Sequence, residues 1–131
     1  MTRFRAEPYS FTYSSGYRDS ARVAIRDSSA WRRAWAQIHA NGSAQPVPAV
    51  DFSREMVVLV ALGTRATGGF SIFVDSARAG AGRVEVLVRR VAPGPACGVT
   101  AALSEPVDLA RIPAASEPVT FRERAEISDC R

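Results

Sequence analysis

The apolar and polar positions of this chain alternate in short runs, each the length of a β-strand. Phe4 to Tyr13 alternates loosely and carries Pro8, which predicts an N-terminal edge strand. Arg22 to Arg26 sets Val23 and Ile25 on one face of a short strand. Met56 to Leu62 is apolar at every position, so it is expected to be a central strand covered on both sides. Phe70 to Ala77 and Arg83 to Val91 flank Gly80-Ala81-Gly82, which reads as a hairpin. Pro106 to Ile112 alternates again, and Val119 to Arg124 gives the last strand before a polar tail over 125–131.

One segment has a different period. Trp31, Ala34, Trp35 and Ile38 recur at i, i+3, i+4 and i+7, which marks the apolar stripe of a helix. Asp27, Ser28 or Ser29 can cap its start, and Gly42 ends it, predicting a helix over about 28–41. Both tryptophans then point inward onto a sheet. The fold expected from these periods is mostly β (α+β). Seven or so antiparallel strands form a sandwich or open barrel, with one amphipathic helix packed on the sheet.

Composition narrows the picture. The chain has 131 residues, enough for one domain over 1–131, and 47% of them are hydrophobic. No apolar run approaches the roughly 20 residues of a membrane-spanning helix, so no transmembrane segment is expected. All 17 basic residues are arginine, which excludes Schiff-base lysine, P-loop lysine and Ser–Lys chemistry. The net charge of +4 is spread from Arg3 to Arg131 among 13 acids, with doublets only at Arg32-Arg33 and Arg89-Arg90. That scatter is the pattern of a solvated surface, and no nucleic-acid partner is expected.

Little material for catalysis remains. His39 is the single histidine, and any Ser–His–Asp or Cys–His arrangement must use it. Its place at the end of the helical stripe fits a partly buried residue interacting with the helix dipole. Asp51 and Glu55 flank a strand start, where turn capping accounts for them. No metal-ligand set and no cofactor motif is found, and the chain is not expected to be an enzyme. Cys97 and Cys130 read as a disulfide, because the second sits in a polar tail where a free thiol would be exposed. Such a bond closes about 33 residues and contributes roughly 3 to 4 kcal/mol by loop entropy. The alternative is two free thiols in a cytosolic protein.

The segment richest in information is Leu62-Gly63-Thr64-Arg65-Ala66-Thr67-Gly68-Gly69-Phe70-Ser71-Ile72. Adjacent glycines permit positive φ or a close backbone approach. Two readings stand side by side: a sharp structural turn, or a binding loop on rigid strands.

A set of motifs resembles the C-terminal domain of the protease complex subunit PrcB family. They are Trp31 through Trp35 to Ile38-His39, then Val50 to Met56 (VDFSREM), then Gly63 to Ile72 (GTRATGGFSI). Pro93 to Cys97 (PGPAC) follows, then Pro106-Val107 with Ile112-Pro113. Together they span about residues 17–123. The resemblance implies a bacterial extracytoplasmic protein, secreted, periplasmic or lipid-anchored. Its named relative associates with a secreted protease and supports that complex, and the family has no established catalytic activity. The first ten residues contain no apolar signal-peptide core, so that location follows only if a leader was removed ahead of Met1; otherwise the chain is cytoplasmic.

The function expected is a non-catalytic protein-binding domain whose partner is a protease. Thr67, Gly68, Gly69, Phe70 and Arg65 are the expected contact residues, supported by the Pro93 to Cys97 loop. Ala66 to Phe70 also resembles the TTG-aromatic loop of chagasin-type inhibitors, which gives an inhibitor as the alternative. A small-molecule-binding β-barrel is the second alternative.

Overall fold

The structure is a computed structural model that describes residues 1–3 and 14–130. The strand expected over Phe4 to Tyr13 lies outside the described residues. Among those described, six strands and one helix build two sheets, and a two-residue strand lies at one margin: β1 (Thr2–Arg3), β2 (Ala21–Ile25), α1 (Ser28–Ile38), β3 (Glu55–Ala61), β4 (Ser71–Gly80), β5 (Arg83–Pro93), β6 (Val107–Pro113) and β7 (Val119–Ser128). The first sheet has the order β1-β6-β3-β2, and the second has the order β4-β5-β7. Helix, first sheet and second sheet stack as three layers. The described residues form no closed barrel.

β3 explains the stacking. Its odd positions Val57, Leu59 and Ala61 face the helix and pack with Trp31, Ala34, Trp35, Ile38, Val107 and Leu109. Its even positions Met56, Val58 and Val60 face the second sheet and pack with Ile72, Val74, Val84, Val86, Val88, Ala110 and Ile112. Every residue from Met56 to Ala61 is 1% exposed or less, as the unbroken apolar run requires. Burying each such side chain contributes about 1.5–3 kcal/mol before entropy is counted.

The helix starts where Asp27 accepts a bond from the Ala30 N–H (2.8 Å). It ends at Ile38, a turn before the Gly42 stop read from the sequence. The Ser15-Gly16 turn explains the early stop: the Gly16 N–H donates to the Ile38 carbonyl, and the Asn41 amide donates to the Ser15 carbonyl. The Ala40 and Gly42 amides close tighter turns onto Gln37 and His39. Both tryptophans point inward, and their indole N–H groups donate to the Pro48 and Gln45 carbonyls, tying down the Pro-rich loop.

Two expectations are corrected. Not every pairing is antiparallel: β5 and β7 run parallel, from Val84↔Val119 to Pro93↔Ser128. Parallel neighbours need a long crossover. Here β6 supplies it, because the chain leaves β5, crosses into the first sheet as β6, and returns as β7. The last strand also runs past Arg124 into the expected polar tail. Residues 125–128 finish β7 beside Arg90 to Pro93.

The second sheet is also braced to the first. Arg22 on β2 holds the Glu123 carboxylate of β7 with two nitrogens, and Arg90 on β5 reaches the same carboxylate (3.1 Å). Asp108, on the inner face of β6, accepts from the Val74 N–H (2.8 Å) beside a bulge at Asp75. Arg26 donates to the Ala115 and Glu117 carbonyls and fixes the β6–β7 crossing.

Candidate functional site

Three segments gather at one end of the sandwich. They are the turn from β3 to β4 (62–70), the long crossing from β5 to β6 (94–106), and the end of β7 with its short tail. All five sequence-predicted contact residues lie in the first of these. The structure holds that turn by the second, through a clasp that sequence reasoning did not find. The amides of Arg65 and Ser104 each donate to the other's carbonyl (2.8 and 3.0 Å), and the Gly68 N–H donates to the Thr100 carbonyl (3.0 Å). The Ser104 hydroxyl, 6% exposed, donates to the Thr67 carbonyl (2.7 Å). The Thr67 hydroxyl donates to the Gly68 carbonyl (3.0 Å).

Both glycines are needed for space. A Cβ on Gly68 would sit 2.5 Å from the Thr100 hydroxyl oxygen. On Gly69, at φ +91, it would meet the Val99 methyl at 2.9 Å and the Pro93 ring at 3.0 Å. Phe70 is half-buried against the inter-sheet core. The Arg65 guanidinium lies over its ring, 5.7 Å from the centroid. The turn is therefore a packed one, and its outer cover is residues 99–104.

That cover is apolar and open. Val99, Leu103 and the β7 residue Ile127 are 42%, 72% and 75% exposed, three of the most exposed large apolar side chains described. Val91 to Ser104 contains no charged residue. Cys97 and Cys130 form a disulfide at the same end, with Cα atoms 5.0 Å apart. The Gly94 N–H donates to the Ser128 carbonyl (3.0 Å), one step beyond the last β5–β7 pair. The Pro93 to Cys97 loop, expected only to support the turn, touches it directly through Pro93.

His39 is placed apart from this clasp, at the C-cap of α1, edge-on to Trp35 with ring centroids 4.6 Å apart. Burial pushes its imidazole below the ordinary value, the direction opposite to a histidine charged by the helix dipole. Asp51 accepts from the Ser53 N–H and hydroxyl (3.0 and 2.6 Å), and the hydroxyl holds its carboxyl below the usual range. Its role is to form the turn before β3, as expected. Among the described residues, no three His, Cys, Asp or Glu side chains gather in the manner of a metal site, and no helix is long and apolar enough to cross a membrane. Open grooves of about 310 Å³ (Asp75, Leu87, Val88, Arg122, Glu123, Arg124) and 490 Å³ (Arg26, Phe52, Met56, Ala114, Ala115, Ser116) lie on the outside. Among the described residues, the space between the sheets is filled by side chains such as Val58, Val60, Val74 and Val86, each fully buried.

Comparison with known proteins adds one finding. Residues 56–113 match the PrcB C-terminal family model. The PrcB C-terminal match runs from the first buried residue of β3 to the end of β6, and so contains the Thr67–Phe70 turn, the whole 94–106 crossing and Cys97. It excludes β1, β2 and α1 on one side and β7 on the other, the elements that pack around that segment. No curated protein and no solved structure matches the chain.

Proposed function

We propose that the chain is a non-catalytic protein-binding domain that associates with a secreted or cell-surface protease through this end of the sandwich. The observation that carries the proposal is the uncharged, exposed cover of Val99 and Leu103, fixed on the Thr67–Phe70 turn inside the segment that resembles the PrcB C-terminal family. Protein contacts concentrate on apolar side chains with few charges at their centre, and a surface already held in one shape loses less entropy on docking. The inhibitor alternative has less support. The turn packs Gly68 under Thr100 and Gly69 under Val99 and Pro93, and does not stand clear as a wedge. The disulfide favours an oxidising compartment, and we place the function outside the cytoplasm on that ground together with the resemblance.

The test is surface plasmon resonance of the purified oxidised chain against a panel of secreted serine proteases and papain-like proteases. The expected result is saturable binding to at least one, weakened about tenfold or more by Leu103→Asp and unaffected by His39→Ala, as expected of a contact at the centre of an interface. Binding indifferent to Leu103→Asp and Val99→Asp would overturn the assignment of this surface. Loss of proteolysis at saturating chain would replace the supporting role with the inhibitor reading.

A further inference from the structure

We propose that the Cys97–Cys130 disulfide is a redox-sensitive latch. Oxidised, it holds residues 94–103 against the Thr67–Phe70 turn. Reduced, it releases them while the sandwich stays folded.

The geometry points to this in three steps. First, β5 and β7 are parallel, so both leave the sheet at the same end with no hairpin joining them. The Gly94–Ser128 bond is the final rung, and the disulfide lies just past it. It is the covalent closure of two strand ends that otherwise fray independently. Second, Cys97 closes a turn onto the Gly94 carbonyl through Pro95 and Ala96 (3.1 Å), and residues 98–103 beyond it are all exposed. Among the described residues, the backbone of 98–103 is fastened to the rest of the fold through the Thr100 carbonyl that receives the Gly68 N–H. The disulfide therefore sets where Val99 and Thr100 rest on Gly68 and Gly69. Third, the bond is at the surface, with Cys130 exposed and Cys97 half-exposed. The ladders of β3, by contrast, lie wholly in the core.

The chemistry balances with a dithiol reductant. One of its thiolates attacks the Cys130 sulfur, the S–S bond breaks, and Cys97 leaves as a thiolate that takes up a proton. The reductant's second thiolate displaces Cys130 from the mixed disulfide. The chain gains two electrons and two protons, and the reductant becomes a disulfide. Re-oxidation by a disulfide donor reverses each step.

The consequence for partner binding rests on the proposed function; the latch itself does not. It is tested by amide hydrogen exchange with mass spectrometry on the oxidised chain and on the chain reduced with dithiothreitol and alkylated. Exchange is expected to quicken about tenfold or more in peptides covering residues 67–70 and 95–102 through local opening, while residues 56–61 quicken only by the lost global stability and remain the best protected of the chain. Unchanged protection at Gly68 would overturn the latch. So would complete loss of protection over residues 56–61, because that reports unfolding of the whole chain. The C97S/C130S double variant must repeat the pattern without reductant; if it does not fold, the latch is inseparable from the fold and the proposal fails. Repeating the protease titration with reduced chain separates the two proposals. Exchange that changes while affinity does not keeps the latch and removes its link to this binding surface.

Discussion

The two ends of the sandwich use glycine for opposite reasons. At the hairpin end, β4 turns into β5 through Ala81 and Gly82, both at positive φ (54 and 73). That is the two-residue turn which suits the twist of paired strands. Space is no constraint there: nothing lies within 4 Å of a Cβ added to Gly80 or Gly82. At the loop end, Gly68, Gly69 and Gly94 would drive a Cβ into Thr100, Val99 with Pro93, and the Ser128 carbonyl. One end is specified locally by the preference of a turn. The other is specified by contacts between segments some 30 residues apart, and locked by a disulfide. An end built that way presents one shape to a partner, and this is why the binding role is assigned to it.

Substitutions can break or sharpen this contrast. The largest effect is expected from the disulfide. Its removal costs roughly 3 to 4 kcal/mol of global stability, measurable as a lower urea midpoint of the C97S/C130S double variant. No single change at the hairpin end should approach that. Next is Gly69→Ala, where positive φ and a crowded Cβ together cost about 1–3 kcal/mol. Gly80→Ala should fall within about 0.5 kcal/mol of the parent. Equal losses from the two would show that the ends do not differ. Smaller still is Ala81→Asn, which suits a left-handed turn position and is expected to raise stability by about 0.5 kcal/mol in thermal melts.

The smallest effect concerns pH. The Arg22 guanidinium beside Glu123, with Arg90 on the same carboxylate, holds its carboxyl below the ordinary value of 4.5. A depressed folded value means stability that is present above that pH and lost as pH falls through the folded value. Burial of His39 below its ordinary 6.5 acts with the same sign in a higher window. Glu123→Gln should therefore flatten the urea midpoint against pH on the acid side of 4.5, and His39→Gln should flatten it just below 6.5. Unaltered profiles in both variants would remove these two groups from the account.

The sequence displayed periodicity well and partnership poorly. The odd and even faces of β3 and the Trp31–Trp35 stripe could be read directly, because burial on each face writes itself into residue type every two or 3.6 positions. The hairpin could be read because its turn is local. The parallel β5–β7 pair was hidden, because alternation along β7 tells which face is inward and not which strand is beside it. The early end of α1 depends on the Ser15-Gly16 turn, whose sequence partner is some 20 residues away. At the site, the double glycine was visible as an anomaly. Val99, Thr100 and Ser104, which explain it, sit in a run of small residues (GVTAALS) with no period of its own. The available signal was indirect: two adjacent glycines before a strand call for something packed upon them.

The central claim is that the loop end, and not the hairpin end, meets a protein partner. It is tested most directly by site-specific photocross-linking, with a benzophenone amino acid placed at Leu103 in one chain and at Ala81 in another, each mixed with the protease panel. The account predicts a cross-linked protease from position 103 and none from position 81. Cross-linking from 81 alone, or equally from both, would contradict it.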